Sequence, residues 1–190
     1  MRVIPTENFG SWGALARFLL TASIFLGADL LTKAVAFDRL SFTDSRGQFI
    51  ARQPGYEFIP GWLEFTVTKN FGAVFGIGQG QKVLFVTVSI TAILFLFYLF
   101  AWSGGQWFYQ IILGMLLAGV LGNLYDRLVF GYVRDLIKAL PRWPTLFPWI
   151  FNIADSLLCT GVGLMLIQQF FQPAAAKTPA ANPQPGQAKA

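Results

Sequence analysis

The stretch VLFVTVSITAILFLFYLFAW, Val83 to Trp102, decides the fold: twenty residues pass without a single charge. A helix needs roughly 20 predominantly apolar residues to cross a bilayer, so this segment is a membrane span. Working outward, residues 107–126 give a second long apolar run, and its glycines are tolerated in a membrane helix. Residues 14–36 form a third, carrying Asp29 and Lys33, and 149–171 a fourth, carrying Asp155 near its start. An even number of spans puts both termini on one side. Ala34-Val35-Ala36 has the look of a signal-peptide cleavage site, but an Asp and a Lys in the last turns of the apolar region do not suit such a peptide.

Composition agrees with lipid as the main solvent. Charged residues make up only 12% of the 190 residues and apolar ones 55%, whereas a soluble domain carries about a quarter charged. There is no histidine and one cysteine, which excludes a disulfide framework, a His-based triad, a Cys-His dyad and a His-rich metal site. No cofactor is indicated. The net charge of +5 is scattered along the chain and gives no sign of nucleic-acid binding.

Residues 37–82 form a polar insert between the first two spans. Within it, Leu63, Phe65 and Val67 alternate with Glu64, Thr66 and Thr68, the pattern of a half-buried strand. Glycines at 72, 76, 78 and 80 follow it. The expected architecture is an all-α membrane protein of four spans, with a small β-containing insert lying on the membrane surface. Arg127 to Pro148 reads as a medium loop on the same side. Residues 173–190, rich in Ala and Pro, have almost nothing to bury and read as a disordered tail. Basic residues crowd the insert and the third loop, so the positive-inside rule taken alone assigns that side to the cytoplasm.

Ionisable residues in membrane segments are costly and usually functional. Here they fall at helical spacings at the span ends nearest the insert. Asp29 and Lys33 are four apart, Asn123, Asp126 and Arg127 share one face, and Asn152 and Asp155 are three apart. Asn70 ends the expected strand. Asp29–Lys33 and Asp126–Arg127 also suit structural ion pairs, and the three asparagines suit caps and turns. Asp135 and Asp155 then remain without a sequence-local cation, if Arg134 and Lys138 point to water. Two carboxylates in a poorly hydrated site share a proton, which is what an aspartyl hydrolase needs. A proton relay through a transporter and a non-catalytic adaptor are the competing readings. The charges lie at one level of the membrane, which argues against the relay.

Four blocks in order, D-L-L-T-K (Asp29–Lys33), K-N-F-G-A-V-F-G-I-G (Lys69–Gly78), G-N-L-Y-D-R-L-V-F-G-Y-V-R-D (Gly122–Asp135) and F-N-I-A-D-S (Phe151–Ser156), resemble the signature blocks of the bacterial lipoprotein signal peptidases, or signal peptidase II. The resemblance runs from about residue 14 to 171. It implies a membrane aspartyl endopeptidase that removes signal peptides from prolipoproteins, cutting before a diacylglyceryl-modified cysteine. It further implies catalytic Asp135 and Asp155, supported by Asp29, Lys33, Asn70, Asn123, Asp126, Arg127 and Asn152. The implied partners are lipid-modified prolipoproteins and membrane lipids, and the implied state is a monomer. The implied location is the bacterial inner membrane, with both termini cytoplasmic and the active site near the outer face. Two departures stand out: Val74 where alanine is expected, and Arg134 directly before Asp135, where it would lower its neighbour's proton affinity.

Overall fold

The structure, a computed structural model, describes residues 7–72, 78 and 80–171. The tail expected at 173–190 and residues 73–77 and 79 of the glycine-rich block lie outside the described residues. A short helix α1 (Glu7–Gly10) leads into α2 (Trp12–Leu40), and α3 (Lys82–Trp102), α4 (Trp107–Val129) and α5 (Ile153–Phe171) complete the helices. Three of them, α2, α3 and α4, are long and apolar enough to cross a membrane; α5 carries a shorter apolar stretch, Ile153–Gln168.

Helix α4 is the central element, and its glycines explain how closely its neighbours approach. A Cβ on Gly114 would come within 2.6 Å of the Phe18 carbonyl oxygen on α2, and one on Gly119 within 2.7 Å of the Ala154 carbonyl oxygen on α5. Small residues at such crossings let helix backbones close up where apolar burial alone gives little drive. Phe18, Phe100, Ile112 and Leu113 are fully buried at the heart of the bundle. At one end Asn8 donates to the carbonyl oxygen of Phe100 at 2.9 Å, fastening α1 to the end of α3. Exposed Trp12, Trp102 and Trp107 ring that end, and at the other Trp62 packs edge-on against Trp143. Aromatic belts at both ends are the habit of chains that meet two membrane interfaces.

The strands are β1 (Ser41–Thr43), β2 (Phe49–Ala51), β3 (Tyr56–Ile59), β4 (Leu63–Asn70), β5 (Val133–Ala139) and β6 (Ile150–Phe151). β1 and β2 form a hairpin of their own, while β3-β4-β5-β6 form an antiparallel sheet. That sheet departs from the expected insert in two ways. Half of it comes from the α4–α5 connection, where sequence suggested only a loop. β6 also takes the start of the expected fourth span, so α5 begins at Ile153 and not at 149. The expected strand is present, but its faces differ. Glu64 and Thr66 are buried while Leu63 and Phe65 are only partly so. A bulge in β4 also splits the apolar trio: Phe65 opposes Ile137 and Thr68 opposes Asp135, so three steps on one strand match two on the other and Val67 leaves the face of Leu63 and Phe65. Glu64 is received by Lys138 at 3.5 Å.

Candidate active site

The register of the sheet delivers the first carboxylate. Asp135 lies opposite Thr68 and Val133 opposite Asn70, so Asp135 and Asn70 are diagonal neighbours across β4 and β5. Asn70 Nδ2 donates to Asp135 Oδ2 at 3.0 Å, and its own Oδ1 accepts from the Gly72 amide at 2.9 Å. The start of α5 delivers the second. Asn152 Oδ1 accepts from the Asp155 amide at 2.9 Å and the Asn152 amide reaches back to Asp155 Oδ2 at 3.4 Å, a reciprocal capping arrangement.

Asn152 joins the two. Its Nδ2 donates to Asp135 Oδ1 at 2.7 Å and to Asn123 Oδ1 at 3.2 Å, and Asn123 Nδ2 donates to Asp155 Oδ1 at 2.7 Å. Both carboxylates are buried, and every hydrogen bond described above to them comes from an amide. Burial pushes the Asp135 carboxyl up to about 7, and the negative charge of Asp155 adds to the push. The hydrogen bonds from Asn70 and Asn152 and the charge of Lys33 partly offset it. Arg134 does not lower its neighbour's proton affinity as expected, because successive strand residues face opposite ways and Arg134 turns to Asp126.

Asp126 and Arg134 belong to a second cluster just behind the first. Arg134 grips Asp126 Oδ1 through Nε at 3.0 Å and its terminal nitrogen at 2.8 Å, while its backbone amide reaches Asp126 Oδ2 at 2.9 Å. Lys33 Nζ lies 2.7 Å from Asp29 Oδ2, 3.2 Å from Asp126 Oδ2 and 3.1 Å from Asn123 Oδ1. Asp29 Oδ1 accepts from the Ala154 amide at 2.8 Å, placing a carboxylate against the first turn of α5. A Cβ on Gly122 would run into that same Asp29 carboxylate. The Asp29–Lys33 pair expected from spacing is therefore present; the Asp126–Arg127 pair is replaced by Asp126–Arg134 and Asp126–Lys33. Arg127 instead donates to the carbonyl oxygens of Gly72 at 2.9 Å and Asn123 at 3.3 Å. Arg134, Gly122 and the Ala154 amide are the parts that sequence reasoning missed. A bulky residue is excluded at Gly122 for a reason visible only in three dimensions.

Two cavities share Asn70 and Asp155. One of about 380 Å³ is walled by Phe147, Trp149 and Phe151 and reaches Asn70 and Asp155. Another of about 290 Å³ reaches Asn70, Asn123, Arg127 and Asp155 from the side of α3. No group of three or more His, Cys, Asp or Glu among the described residues is arranged to hold a metal ion. What the arrangement offers is two carboxyl groups oriented by amides, one of which holds a proton near neutral pH, with space on two sides of Asp155.

The model of the signal peptidase (SPase) II family matches residues 21–171. The chain belongs to the signal peptidase II family. It is accordingly an aspartic-type peptidase of bacterial membranes. Similar proteins include the lipoprotein signal peptidase of Psychromonas ingrahamii, 33% identical over 164 residues that cover 82% of this chain and 85% of that one. That of Enterococcus faecalis is 29% identical, covering 86% and 93%. Among solved structures, a bacterial membrane enzyme determined by the in meso method superposes with a TM-score of 0.69 at 30% identity, covering 86% of this chain and 93% of that one.

Proposed function

We propose that this signal peptidase II enzyme removes signal peptides from prolipoproteins, cutting before a diacylglyceryl-modified cysteine with Asp135 and Asp155 as the catalytic pair. The observation that carries the reading is Asn152, whose two sides hold one carboxylate each. The pair shares one proton. The ionised carboxylate takes a proton from water as the water oxygen adds to the scissile carbonyl carbon. The protonated one gives its hydrogen to the carbonyl oxygen. Collapse of the tetrahedral diol breaks the C–N bond: a carboxyl proton passes to the departing amine of the cysteine, and the other carboxylate takes a proton from a diol hydroxyl, which restores the shared proton.

The supporting residues divide by contact. Asn70, Asn123 and Asn152 orient the pair; Asp29, Lys33 and Asp126 fix α2, α4 and the sheet behind it; Arg127 holds the Gly72 carbonyl beside the site. The reading takes α5 as a fourth, shorter span and residues 1–172 as one four-span domain acting as a monomer among membrane lipids. The insert and site then face the outer side of the inner membrane, with both termini in the cytoplasm. The burial of Lys33 and Arg134 in ion pairs supports this orientation, since two of the basic residues that weigh against it are neutralised within the fold.

The test is cleavage of a synthetic lipidated precursor by the purified protein, by Asp135→Asn and by Asp155→Asn. Only the parent should release signal peptide, and a precursor lacking the diacylglyceryl group should be a poor substrate. Retained cleavage by either variant overturns the assignment of the pair. A cysteine introduced at Arg52 should be labelled by an impermeant reagent in intact cells; an unlabelled site contradicts the outward orientation.

A further inference from the structure

A cavity of about 520 Å³, larger than either one at Asp155, lies between α2 and the sheet. Leu31, Val35, Ala36 and Leu40 of α2 form one wall, Phe65 and Leu136 the other, and Arg39 and Tyr56 complete the rim. None of the nine candidate site residues touches it. Leu136 follows Asp135 in β5 and so faces the opposite way, packing with Ala36 and Val67 while Asp135 faces Asn70 and Asn152. The substrate's own lipid is therefore a poor occupant.

The depth of the groove indicates a better one. Exposed Trp12 marks one interface at the start of α2, and roughly 20 residues at about 1.5 Å each cross the hydrocarbon core. That core ends near Thr32. The groove opens at that hydrocarbon edge beside exposed Leu31 and Val35, and rises about 12 Å along α2 to Leu40, through the headgroup layer. Its outer end is basic. Arg39 stands on the rim; Arg52, whose amide donates to the Leu40 carbonyl oxygen at 2.8 Å, turns its guanidinium over the Phe42 ring and not into the groove. Asp38 is the carboxylate facing Arg39, 3.5 Å away, with both side chains about four-fifths exposed (79% and 80%). Exposed pairs of this kind are weak and leave the guanidinium open to a phosphate.

We infer that this groove receives the upper part of one acyl chain of an anionic glycerophospholipid of the bilayer, entering from the hydrocarbon edge beside Leu31, with its phosphate on Arg39, wedged between α2 and the sheet. The site goes beyond the proposed cleavage reaction and does not depend on it. The experiment is native mass spectrometry of the full chain released from detergent, after exposure to phosphatidylglycerol or phosphatidylcholine of the same acyl chains. The parent should retain one phosphatidylglycerol in about fivefold preference, the value expected for roughly one arginine at the surface. Arg39→Gln should keep a lipid and lose the preference. Val35→Trp, on an exposed helix position, should fill the groove and lose the lipid while melting like the parent. The catalytically blocked Asp135→Asn should retain phosphatidylglycerol as the parent does. Equal retention of the two lipids by the parent, undiminished retention by Val35→Trp, or displacement of the bound lipid by a diacylglyceryl-cysteine peptide overturns the proposal.

Discussion

Two clusters of carboxylates lie side by side in this protein and are held in different ways. Asp29 and Asp126 meet cations: Lys33 touches both, and Arg134 grips Asp126 with two nitrogens. Asp135 and Asp155 meet amides, from Asn70, Asn123 and Asn152. A cation at contact distance keeps a carboxylate ionised and makes it part of the frame. An amide orients a carboxyl group without fixing its charge, so burial and the neighbouring charge leave Asp135 with a proton near neutrality. On the proposed reading, the cation-held pair serves as scaffold and the amide-held pair is free to exchange protons.

That contrast is broken or sharpened most strongly by replacing one carboxylate from each cluster. Asp155→Asn should lower kcat/KM for the lipidated precursor by about 10³-fold, within the range for loss of a general acid or base, while the protein keeps its helix content by circular dichroism. Lys33→Met should instead act on the frame. It strands Asp29 and Asp126 without their shared cation, and removing one member of a buried ion pair costs about 3–5 kcal/mol, read as a lower denaturation temperature in detergent. Gly122→Ala drives a methyl group into the Asp29 carboxylate and should cost about 1–3 kcal/mol by the same assay.

The smallest effect has the opposite sign. A carboxyl whose folded pKa is raised contributes its full stability below the unfolded value, and loses it as pH rises through the folded value, here about 7. Above that pH the parent bears the cost of a buried charge at Asp135. Asp135→Asn should therefore melt at or slightly above the parent at pH 8, whereas Asp126→Asn, which loosens the bidentate grip of Arg134, should melt below it.

The sequence made the helices easy to read, because a twenty-residue uncharged run has one physical use. The strand at Leu63 was legible through its alternation; the turn of Val67 away from Leu63 and Phe65 was not, because a bulge sets it and the bulge depends on β5. β5 itself was hidden by Arg134, Asp135 and Lys138, three charges in seven residues. Their partners Asp126, Asn70 and Glu64 lie up to 74 positions away. Local spacing found Asp29–Lys33, a pair within one helix, and mispaired Asp126 because its cations arrive from a strand and from another helix. Asn152 was read as a cap or a site residue; it caps the start of α5 and its side chain also bonds Asp135.

The central claim is that amide-held carboxyl groups share a catalytic proton, and the pH dependence of kcat/KM on the lipidated precursor tests it most directly. The account predicts that the rate falls as pH rises through about 7, where Asp135 gives up its proton. Asn70→Ala should move that fall to higher pH, because it deletes a hydrogen bond that favours the ionised form. A rate that stays level from about pH 5 to 9, in a range where one carboxyl must lose its proton, would contradict the account.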